Sequence, residues 1–322
     1  MKVFVTRTIP EEGLRRLKEI AEVRVYSKDN IIPRKELEKG VQWADALLCL
    51  LTDKIDDKLL DLNPKLKIVA NYAVGFDNIN IKAASARGIP VANTPGASTD
   101  AVAEHTIALM MSIMRRIAEA DKFVRAGKYK GWQPYLLLGS EVQGKTLGII
   151  GTGRIGSGVA RRAVKGLGMK LIYTDVQRNP ELENNFGARF VPFGILLKES
   201  DVVSLHVPLL PSTRHLIGAE QLKMMKKTAY LINTARGPVI DEKALVSALK
   251  KKQIAGAGID VYEFEPKLSP GLAKLDNVVL TPHTASSTME CRIDMARVAV
   301  DNVLAALRGE RPPNCVNPEV FK

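Results

Sequence analysis

The chain has 322 residues, of which 46% are hydrophobic and 25% charged, and both values are ordinary for a soluble globular protein. Since single cores usually stop growing near about 250–300 residues, this length favours two domains over one. The net charge of +12 does not indicate a nucleic-acid partner, because basic residues alternate with acidic ones and no basic run carries the aromatic residues that bind single strands.

The sequence also carries signals about the protein's location. Cys49, Cys291 and Cys315 are odd in number and far apart, which is typical of reduced thiols. Residues 1–5 enter a strand directly, so we expect no signal peptide. Apolar runs are far shorter than the roughly 20 residues of a membrane helix, and no metal-ligand spacing occurs. We therefore expect a cytoplasmic protein with neither a metal site nor a membrane partner.

The first hundred residues alternate short apolar strands with helical segments. The predicted strands are Val3–Val5, Val23–Val25, Ala46–Leu51, Lys67–Ala70 and Pro90–Ala92. The helical segments include residues 10–20 and 81–87. Strands that are separated by helix-length connections indicate a parallel sheet with helices on both faces.

A long helix is predicted next, over residues 99–125. Thr94–Gly96 breaks the chain, and Ser98, Thr99 or Asp100 can cap a helix rich in Ala, Ile, Leu and Met. At 1.5 Å per residue this helix would be roughly 38 Å long. It could bridge domains or pack against a second subunit, and we expect a homodimer through this region.

Residues 147–175 carry the most informative motif of the chain. An apolar strand leads into Gly151, Gly153 and Gly156, which are spaced as G-x-G-x-x-G, and a helix and a second strand then end at Asp175. The glycines permit a tight turn, close approach of a pyrophosphate and close packing of helix on strand. Asp175 can accept both ribose hydroxyls, which favours NAD over NADP. Together these features predict a dinucleotide-binding unit.

Further strand candidates follow Asp175, which brings the total in this part of the chain to about seven, enough for a complete double dinucleotide-binding fold. They are Arg189–Val191, Val202–Val207, Tyr230–Ile232, Gly256–Ile259 and Val278–Leu280. The fold class is therefore α/β, with a Rossmann domain (residues 99–286) inserted into a smaller, flavodoxin-like α/β substrate domain (residues 1–98 and 287–322). A cleft between the two sheets would be the default ligand site.

Three polar residues follow predicted strands at the carboxyl edge of the sheet, where ligands bind: Arg236, Glu265 and His283. Position alone leaves ordinary alternatives open. Arg236 could be a surface salt-bridge partner, Glu263 is as good a candidate as Glu265 by composition, and His283 could be a loop histidine bound to backbone. We expect the other histidines, His105, His206 and His215, to have structural or supporting roles.

The chain resembles the D-isomer-specific 2-hydroxyacid dehydrogenases nearly end to end, and most closely the glyoxylate/hydroxypyruvate reductases among them. The stretches that carry the resemblance are Asn71–Asn78, Gly131–Pro134, Gly144–Gly151, Asn233–Gly237, Asp260–Pro266 and Thr281–His283. The resemblance implies that His283 is the general acid and base, and that Glu265, directly before a proline, orients it and keeps it protonated. Arg236 would grip the substrate carboxylate through its planar fork.

The resemblance also implies the remaining binding residues. Backbone N–H groups of Val74 and Gly75 would bind the substrate carboxylate, and Leu51 and Trp132 would limit substrate size, Trp132 across a dimer; ordinary core packing is the alternative for both side chains. The implied cofactor contacts are Thr106, Gly151, Gly153, Arg154, Ile155, Gly156, Asp175, Val207, Pro208, Thr234, Ala235, Asp260, His283 and Ala285. Arg178, three residues past Asp175, could soften the exclusion of NADP.

The implied activity is NADH-dependent reduction of a small 2-oxo acid: glyoxylate to glycolate, and hydroxypyruvate to D-glycerate. Alternatives remain at this point. One is another D-2-hydroxyacid dehydrogenase, acting on D-lactate, D-glycerate or a phosphorylated acid. Phosphite oxidation is a minor one, because phosphite dehydrogenases carry a lysine where this chain has Val74. A non-catalytic NAD(H)-sensing binder, similar to the corepressors of the family, is the alternative from another class.

Overall fold

The computed structural model describes the whole chain, which divides into two compact units. One unit comprises Met1–Ser98 and Ser287–Lys322, and the other comprises Thr99–Ser286. Each unit is built on its own parallel sheet, so the predicted α/β class is confirmed. None of the helices is both long enough and apolar enough to cross a membrane.

The first unit begins with an alternation of strands and helices. Its elements are β1 (Lys2–Val5), α1 (Glu11–Lys18), β2 (Glu22–Val25), α2 (Arg34–Trp43), β3 (Ala46–Cys49), α3 (Asp57–Asp61), β4 (Ile68–Asn71), α4 (Ile81–Ala86) and β5 (Val91–Ala92). The strands pair in the order β2-β1-β3-β4-β5, all parallel, which is the flavodoxin-like order. Strands β3 and β4 are buried throughout, which explains why their sequences are apolar up to Asn71 at the end of β4.

The second unit contains the glycine motif. Its elements are α5 (Thr99–Met114), α6 (Ile117–Arg125), β6 (Thr146–Ile150), α7 (Arg154–Leu167), β7 (Lys170–Thr174), α8 (Pro180–Phe186), β8 (Arg189–Phe190), α9 (Phe193–Glu199), β9 (Val202–Leu205), α10 (Ala219–Met224), β10 (Tyr230–Asn233), α11 (Glu242–Lys250), β11 (Gly256–Ile259) and β12 (Val278–Leu280). The strand order is β12-β11-β10-β9-β6-β7-β8. The order reverses between β6 and β9, and ligands of doubly wound sheets bind at such a point.

Both faces of this second sheet are covered. Ile149 and Ile150 are neighbours on β6, yet they lie in separate hydrophobic clusters, as do Leu231 and Ile232 on β10. Because successive side chains of a strand point to opposite faces, the two clusters are the cores above and below the sheet. The carboxyl ends of the strands therefore form the exposed edge on which polar side chains can gather.

The prediction of one continuous helix over residues 99–125 is wrong. The structure has two helices, α5 and α6, separated at Arg116, whose φ of 54° lies in the left-handed region. The guanidinium of Arg116 donates to both carboxylate oxygens of Glu119, at 2.8 and 2.7 Å, which stabilises the turn into α6. Arginine is a good helix former, so its residue type gave no sign of the break.

The C-terminal segment completes the first unit. The last helix, α12 (Met289–Leu307), begins at Thr288, whose hydroxyl accepts a hydrogen bond from the Cys291 N–H at 3.1 Å. After the helix the chain returns to the sheet, where the Val316 N–H donates to the Val91 carbonyl on β5 at 2.8 Å. Residues that are far apart in sequence thus share one core.

Candidate active site

The glycine loop after β6 is tight because two of its glycines touch other backbone. Gly151 has a φ of 91°, and a Cβ atom built on it would lie 2.7 Å from the His206 carbonyl oxygen. A Cβ on Gly156 would lie 2.1 Å from the Gly151 carbonyl oxygen. Neither position can carry a side chain without moving the backbone, so both glycines are needed for the turn from β6 into α7.

The outer side of the same loop is open. No atom lies within 4 Å of a Cβ built on Gly153, and no side chain caps the N-terminus of α7. The free N–H groups and the dipole of a helix N-terminus attract an anion. These features fit the pyrophosphate of a dinucleotide, and Arg154 and Ile155 belong to the first turn that would hold it.

Asp175, at the end of β7, is tied to the glycine loop. One of its carboxylate oxygens accepts from the Thr152 N–H at 2.6 Å and from the Thr152 hydroxyl at 2.9 Å. Arg178 donates instead to Glu183, at 3.0 and 2.8 Å. That hydrogen bond helps to lower the pKa of Glu183, so the acid stays ionised and holds the guanidinium. The charged side chain that is bonded to the loop is therefore that of Asp175 and not that of Arg178.

The other predicted cofactor residues follow strands along the same edge. Thr106 on α5 and Thr234 after β10 are both buried, and their hydroxyl oxygens are 2.8 Å apart. Since Thr106 donates to the Val102 carbonyl, it accepts from Thr234. Val207 and Pro208 follow β9, and Ala235 follows Thr234 with its N–H bound to the Asn233 side chain at 3.0 Å.

The structure brings His283 and Glu265 into contact. Glu265 lies in the loop after β11 and His283 lies in the loop after β12, and the His283 Nδ1 is 3.0 Å from the Glu265 Oε2. The second oxygen of Glu265 accepts from the Tyr262 N–H at 2.9 Å. The two side chains remain 26% and 32% exposed, so the pair can be reached by a small molecule.

Glu265 is held in its charged form. Burial acts to raise the pKa of this carboxyl, but the hydrogen bond and charge of His283, the Tyr262 N–H and the charge of Arg236 outweigh it, and the pKa lies below its ordinary value. A carboxylate at this position fixes the ring orientation of His283. Since the charge of Arg236 acts on Glu265, all three predicted residues share one electrostatic environment.

Arg236 is positioned by the backbone around it. It follows β10, its guanidinium donates to the Ala235 carbonyl at 2.8 Å, and its own carbonyl accepts from the Asn233 side chain at 3.0 Å. The next residue, Gly237, packs without any space for a side chain against the backbone of Tyr262. This contact joins the loop of Arg236 to the loop of Glu265.

Glu263 has a different environment from Glu265, although composition alone could not separate them. Its side chain is 5% exposed, and its oxygens interact with His215, at 2.6 Å, and with the Glu242 N–H, at 3.2 Å. Glu242 in turn accepts from the Glu263 N–H at 2.8 Å and from the Ser269 N–H at 2.7 Å. Two buried acids thus brace the loop that presents Glu265.

Asp260 has contacts that the sequence did not indicate. The residue is fully buried, and its carboxylate accepts from the Thr281 hydroxyl (2.6 Å), the Thr284 N–H (2.8 Å) and the Ala285 N–H (2.9 Å). Burial acts to raise the pKa of Asp260, but these donors and His105 hold it below its ordinary value. The contact of Asp260 and Ala285 with a cofactor stays a prediction.

The remaining candidate residues are dispersed. Trp132 is 82% exposed in the second unit, so core packing is wrong for that side chain. In the first unit Leu51 follows β3 and is half-buried. Asparagine amides bind the carbonyl oxygens of Val74, at 2.7 Å, and Gly75, at 2.8 Å, and so fix the loop after β4. The roles of these four residues toward substrate stay predictions.

Comparison with known proteins identifies close relatives. Residues 107–285 match the family model described as D-isomer specific 2-hydroxyacid dehydrogenase, NAD binding domain. The chain is 52% identical to the glyoxylate reductase of Thermococcus litoralis, over 99% of this chain and 98% of that one, and 52% identical to that of Thermofilum pendens, over 100% and 96%. The TT0316 protein of Thermus thermophilus has a similar structure, with a TM-score of 0.92 at 45% identity, covering 98% of this chain and 100% of that one.

Similar solved structures differ in their cofactor. The D-lactate dehydrogenase of Aquifex aeolicus, complexed with NAD and lactic acid, has a TM-score of 0.87 at 32% identity and covers 98% of this chain and 99% of that one. The NADPH-dependent glyoxylate/hydroxypyruvate reductase of Sinorhizobium meliloti has a TM-score of 0.86 at 31% identity, with 98% of each chain covered. The likeness therefore supports a nicotinamide cofactor of either kind.

Proposed function

Since the chain belongs to the D-isomer specific 2-hydroxyacid dehydrogenase family, we propose that it reduces glyoxylate to glycolate and hydroxypyruvate to D-glycerate with NADH. The observation that carries this proposal is the His283–Glu265 pair, 3.0 Å apart and under the influence of the charge of Arg236. The names of the relatives at 52% identity support glyoxylate as the substrate.

In the proposed mechanism, His283 supplies the proton and Arg236 binds the acid. A nicotinamide held at this edge of the sheet would supply the hydride that the carbonyl carbon of the 2-oxo acid accepts. The imidazolium of His283 gives its Nε2 proton to the carbonyl oxygen, which becomes the hydroxyl of the product. Glu265 accepts from Nδ1–H and compensates the positive charge before the transfer. Arg236 holds the substrate carboxylate, so that the carbonyl is oriented toward the acid.

We propose that NADH is preferred over NADPH. Asp175 places a negative charge at the end of β7, where a ribose 2′-phosphate would be repelled. The cation that could offset this repulsion, Arg178, is engaged by Glu183. Both observations support the preference, and the comparison of rates with the two cofactors tests it.

We also propose a homodimer and a cytoplasmic location. Between α5 and β6 the second unit exposes large apolar side chains, including Trp132 (82%) and Tyr135 (83%), that a second copy of the chain would cover. Ile117 and Val124 on α6 are also more than half exposed. All three cysteines are free, which suits a reducing compartment.

The experiment that tests the proposed function is a substrate panel. NADH oxidation is measured with glyoxylate, hydroxypyruvate, pyruvate and phenylpyruvate, and is repeated with NADPH. We expect the highest kcat/KM with glyoxylate or hydroxypyruvate. Turnover of pyruvate alone would indicate a D-lactate dehydrogenase instead. Tight NADH binding without any turnover would favour a non-catalytic binder.

A further inference from the structure

His105 on α5 contacts the network that surrounds the catalytic loop. Its Nε2 lies 3.0 Å from the Thr281 hydroxyl and 3.5 Å from the nearer carboxylate oxygen of Asp260. Thr281 donates its own hydroxyl hydrogen to that oxygen, at 2.6 Å. The threonine oxygen is therefore left to accept from His105, which assigns the hydrogen to Nε2. His105 thus donates to Thr281, and Thr281 donates to Asp260, which accepts.

Asp260 passes this constraint on to the residues around His283. Its carboxylate binds the N–H groups of Thr284 and Ala285, and its carbonyl accepts from the His283 N–H at 2.8 Å. His283 has a φ of 54°, a left-handed conformation that residues other than glycine seldom adopt. Such a conformation persists only when surrounding contacts over-determine it. The bonds to Asp260 on both sides of His283 are contacts of that kind.

We propose that His105 is a positioning residue for His283, acting through Thr281 and Asp260. The side chain of His105 is 23% exposed on a helix that packs against β10, β11 and β12, so it anchors the loop to a rigid element. Its N–H prevents the Thr281 hydroxyl and the buried carboxylate from turning away from the loop. The proposal rests on the proposed acid role of His283.

Three substitutions at His105 separate positioning from a general contribution to stability. The amide nitrogen of Gln reaches about as far as Nε2 of His, that of Asn reaches only as far as Nδ1, and Leu offers no donor. We expect His105→Leu and His105→Asn to lower kcat with glyoxylate by about three- to tenfold, the worth of one hydrogen bond. His105→Gln should retain kcat within about twofold. The Kd for NADH and the KM for glyoxylate should change less than kcat in all three.

Glu104→Gln is the matched control, since Glu104 precedes His105 on the same helix and contacts only Arg162 among the ion pairs. It should leave kcat unchanged. A merely structural role would lower the melting temperature of the Leu and Asn variants and leave kcat per folded enzyme intact. That result, or an unaltered kcat in His105→Leu, would overturn the proposal.

A double-mutant cycle tests the path through Thr281. Thr281→Val removes the hydroxyl that joins His105 to Asp260, so adding His105→Leu to it should cost little further in kcat. If each substitution instead lowers kcat by the same factor with or without the other, the path through Thr281 is contradicted. If His105→Leu does not fold, the kcat of His105→Gln is compared with that of His105→Asn, and this comparison tests the positioning role instead.

Amide hydrogen exchange gives a readout that does not depend on turnover. The N–H groups of residues 283–285 are bound by Asp260, and we expect their exchange to become faster in the Leu and Asn variants but not in the Gln variant. Unchanged protection would contradict the proposal. Wild-type protein that reduces no 2-oxo acid would instead remove the proposed function, while the exchange data would still report on His105.

Discussion

Gly237 lies in direct contact with Tyr262: a Cβ atom built on Gly237 would be 1.9 Å from both the carbonyl carbon and the carbonyl oxygen of that residue. Arg236 directly precedes Gly237, and Glu265 lies three residues after Tyr262. The distance between Arg236, the proposed substrate-binding cation, and the Glu265 carboxylate is therefore set by a backbone contact and not by the two side chains alone.

Gly237→Ala should damage both stability and activity. The added methyl group must push one loop away from the other, which costs about 1–3 kcal/mol in the free energy of unfolding and displaces Arg236 from Glu265. Chemical denaturation and the kcat for glyoxylate measure the two effects. Gly166→Ala on α7 is the control, because no atom lies within 4 Å of the added Cβ, and it should stay neutral or become slightly more stable. Wild-type behaviour of Gly237→Ala would show that the loops can separate at no cost.

His283→Ala should lower turnover by about 10²–10⁴-fold, the usual worth of a general acid, while NADH still binds. The ring is bound to Glu265, so we expect its loss to remove the proposed proton donor and to leave the glycine loop after β6 in place. Steady-state rates with glyoxylate and a fluorescence titration with NADH separate the two properties. Unchanged turnover would remove His283 from the acid role.

Glu265→Gln and Glu263→Gln form a matched pair. Replacing Glu265 leaves a neutral acceptor for Nδ1–H, and we expect kcat to fall about ten- to hundredfold because a charge-assisted bond is lost. Replacing Glu263 should act mainly on stability, because that side chain is 5% exposed and binds His215 and the Glu242 N–H. Melting temperatures and kcat are measured for both variants. If Glu263→Gln lowered kcat and Glu265→Gln lowered only the melting temperature, the proposed roles of the two acids would be exchanged.

The stability of the protein should depend on pH through Glu265. The folded-state pKa of this carboxyl lies below the ordinary value of about 4.3, so its ionised form stabilises the fold above about pH 4.3. This contribution is lost as the pH falls through the folded-state pKa. Wild type should thus be more stable than Glu265→Gln near neutrality, and the difference should shrink in acid. Denaturation curves of both proteins, measured from neutral pH to below about pH 4, test this expectation. A stability difference that grows as the pH falls would contradict the lowered pKa of Glu265.

Asp175→Ala should shift the ratio of kcat/KM for NADH and NADPH toward NADPH, because it removes the carboxylate that we propose repels a 2′-phosphate. Arg178→Ala is the control, and it should change the ratio less since Arg178 is bound to Glu183. Initial rates with both cofactors measure the ratio. A wild-type enzyme that already prefers NADPH would contradict the role given to Asp175.

Local patterns predicted the fold and the glycine loop well. The three glycines and Asp175 occupy one strand–helix–strand unit, in which each residue type follows from a local need for space or charge. The break at Arg116 was missed because it depends on a left-handed residue and on the bond to Glu119, which an arginine in a helical sequence does not reveal.

Contacts between distant segments could not be predicted in the same way. Glu263 and Glu265 are alike in type and two residues apart; the family resemblance selects Glu265, but local pattern alone does not, and the three-dimensional partners of Glu263 give the physical distinction. The contact between His105 and Thr281 joins residues 176 positions apart, so no local spacing could have indicated it. The sequence placed candidate residues at the sheet edge, but their pairing depends on the order of the strands.

That strand order separates the candidate residues of the second unit into two groups. The strands on one side of the reversal, β6 to β8, carry the glycine loop and Asp175, while β10 to β12 lead to Arg236, Glu265 and His283. With the roles proposed above, the choice of electron carrier and the chemistry on the acid would be encoded in separate stretches of the chain. We expect a graft of residues 151–191 from an NADPH-using relative to change the cofactor preference and to leave Arg236, Glu265 and His283 in place.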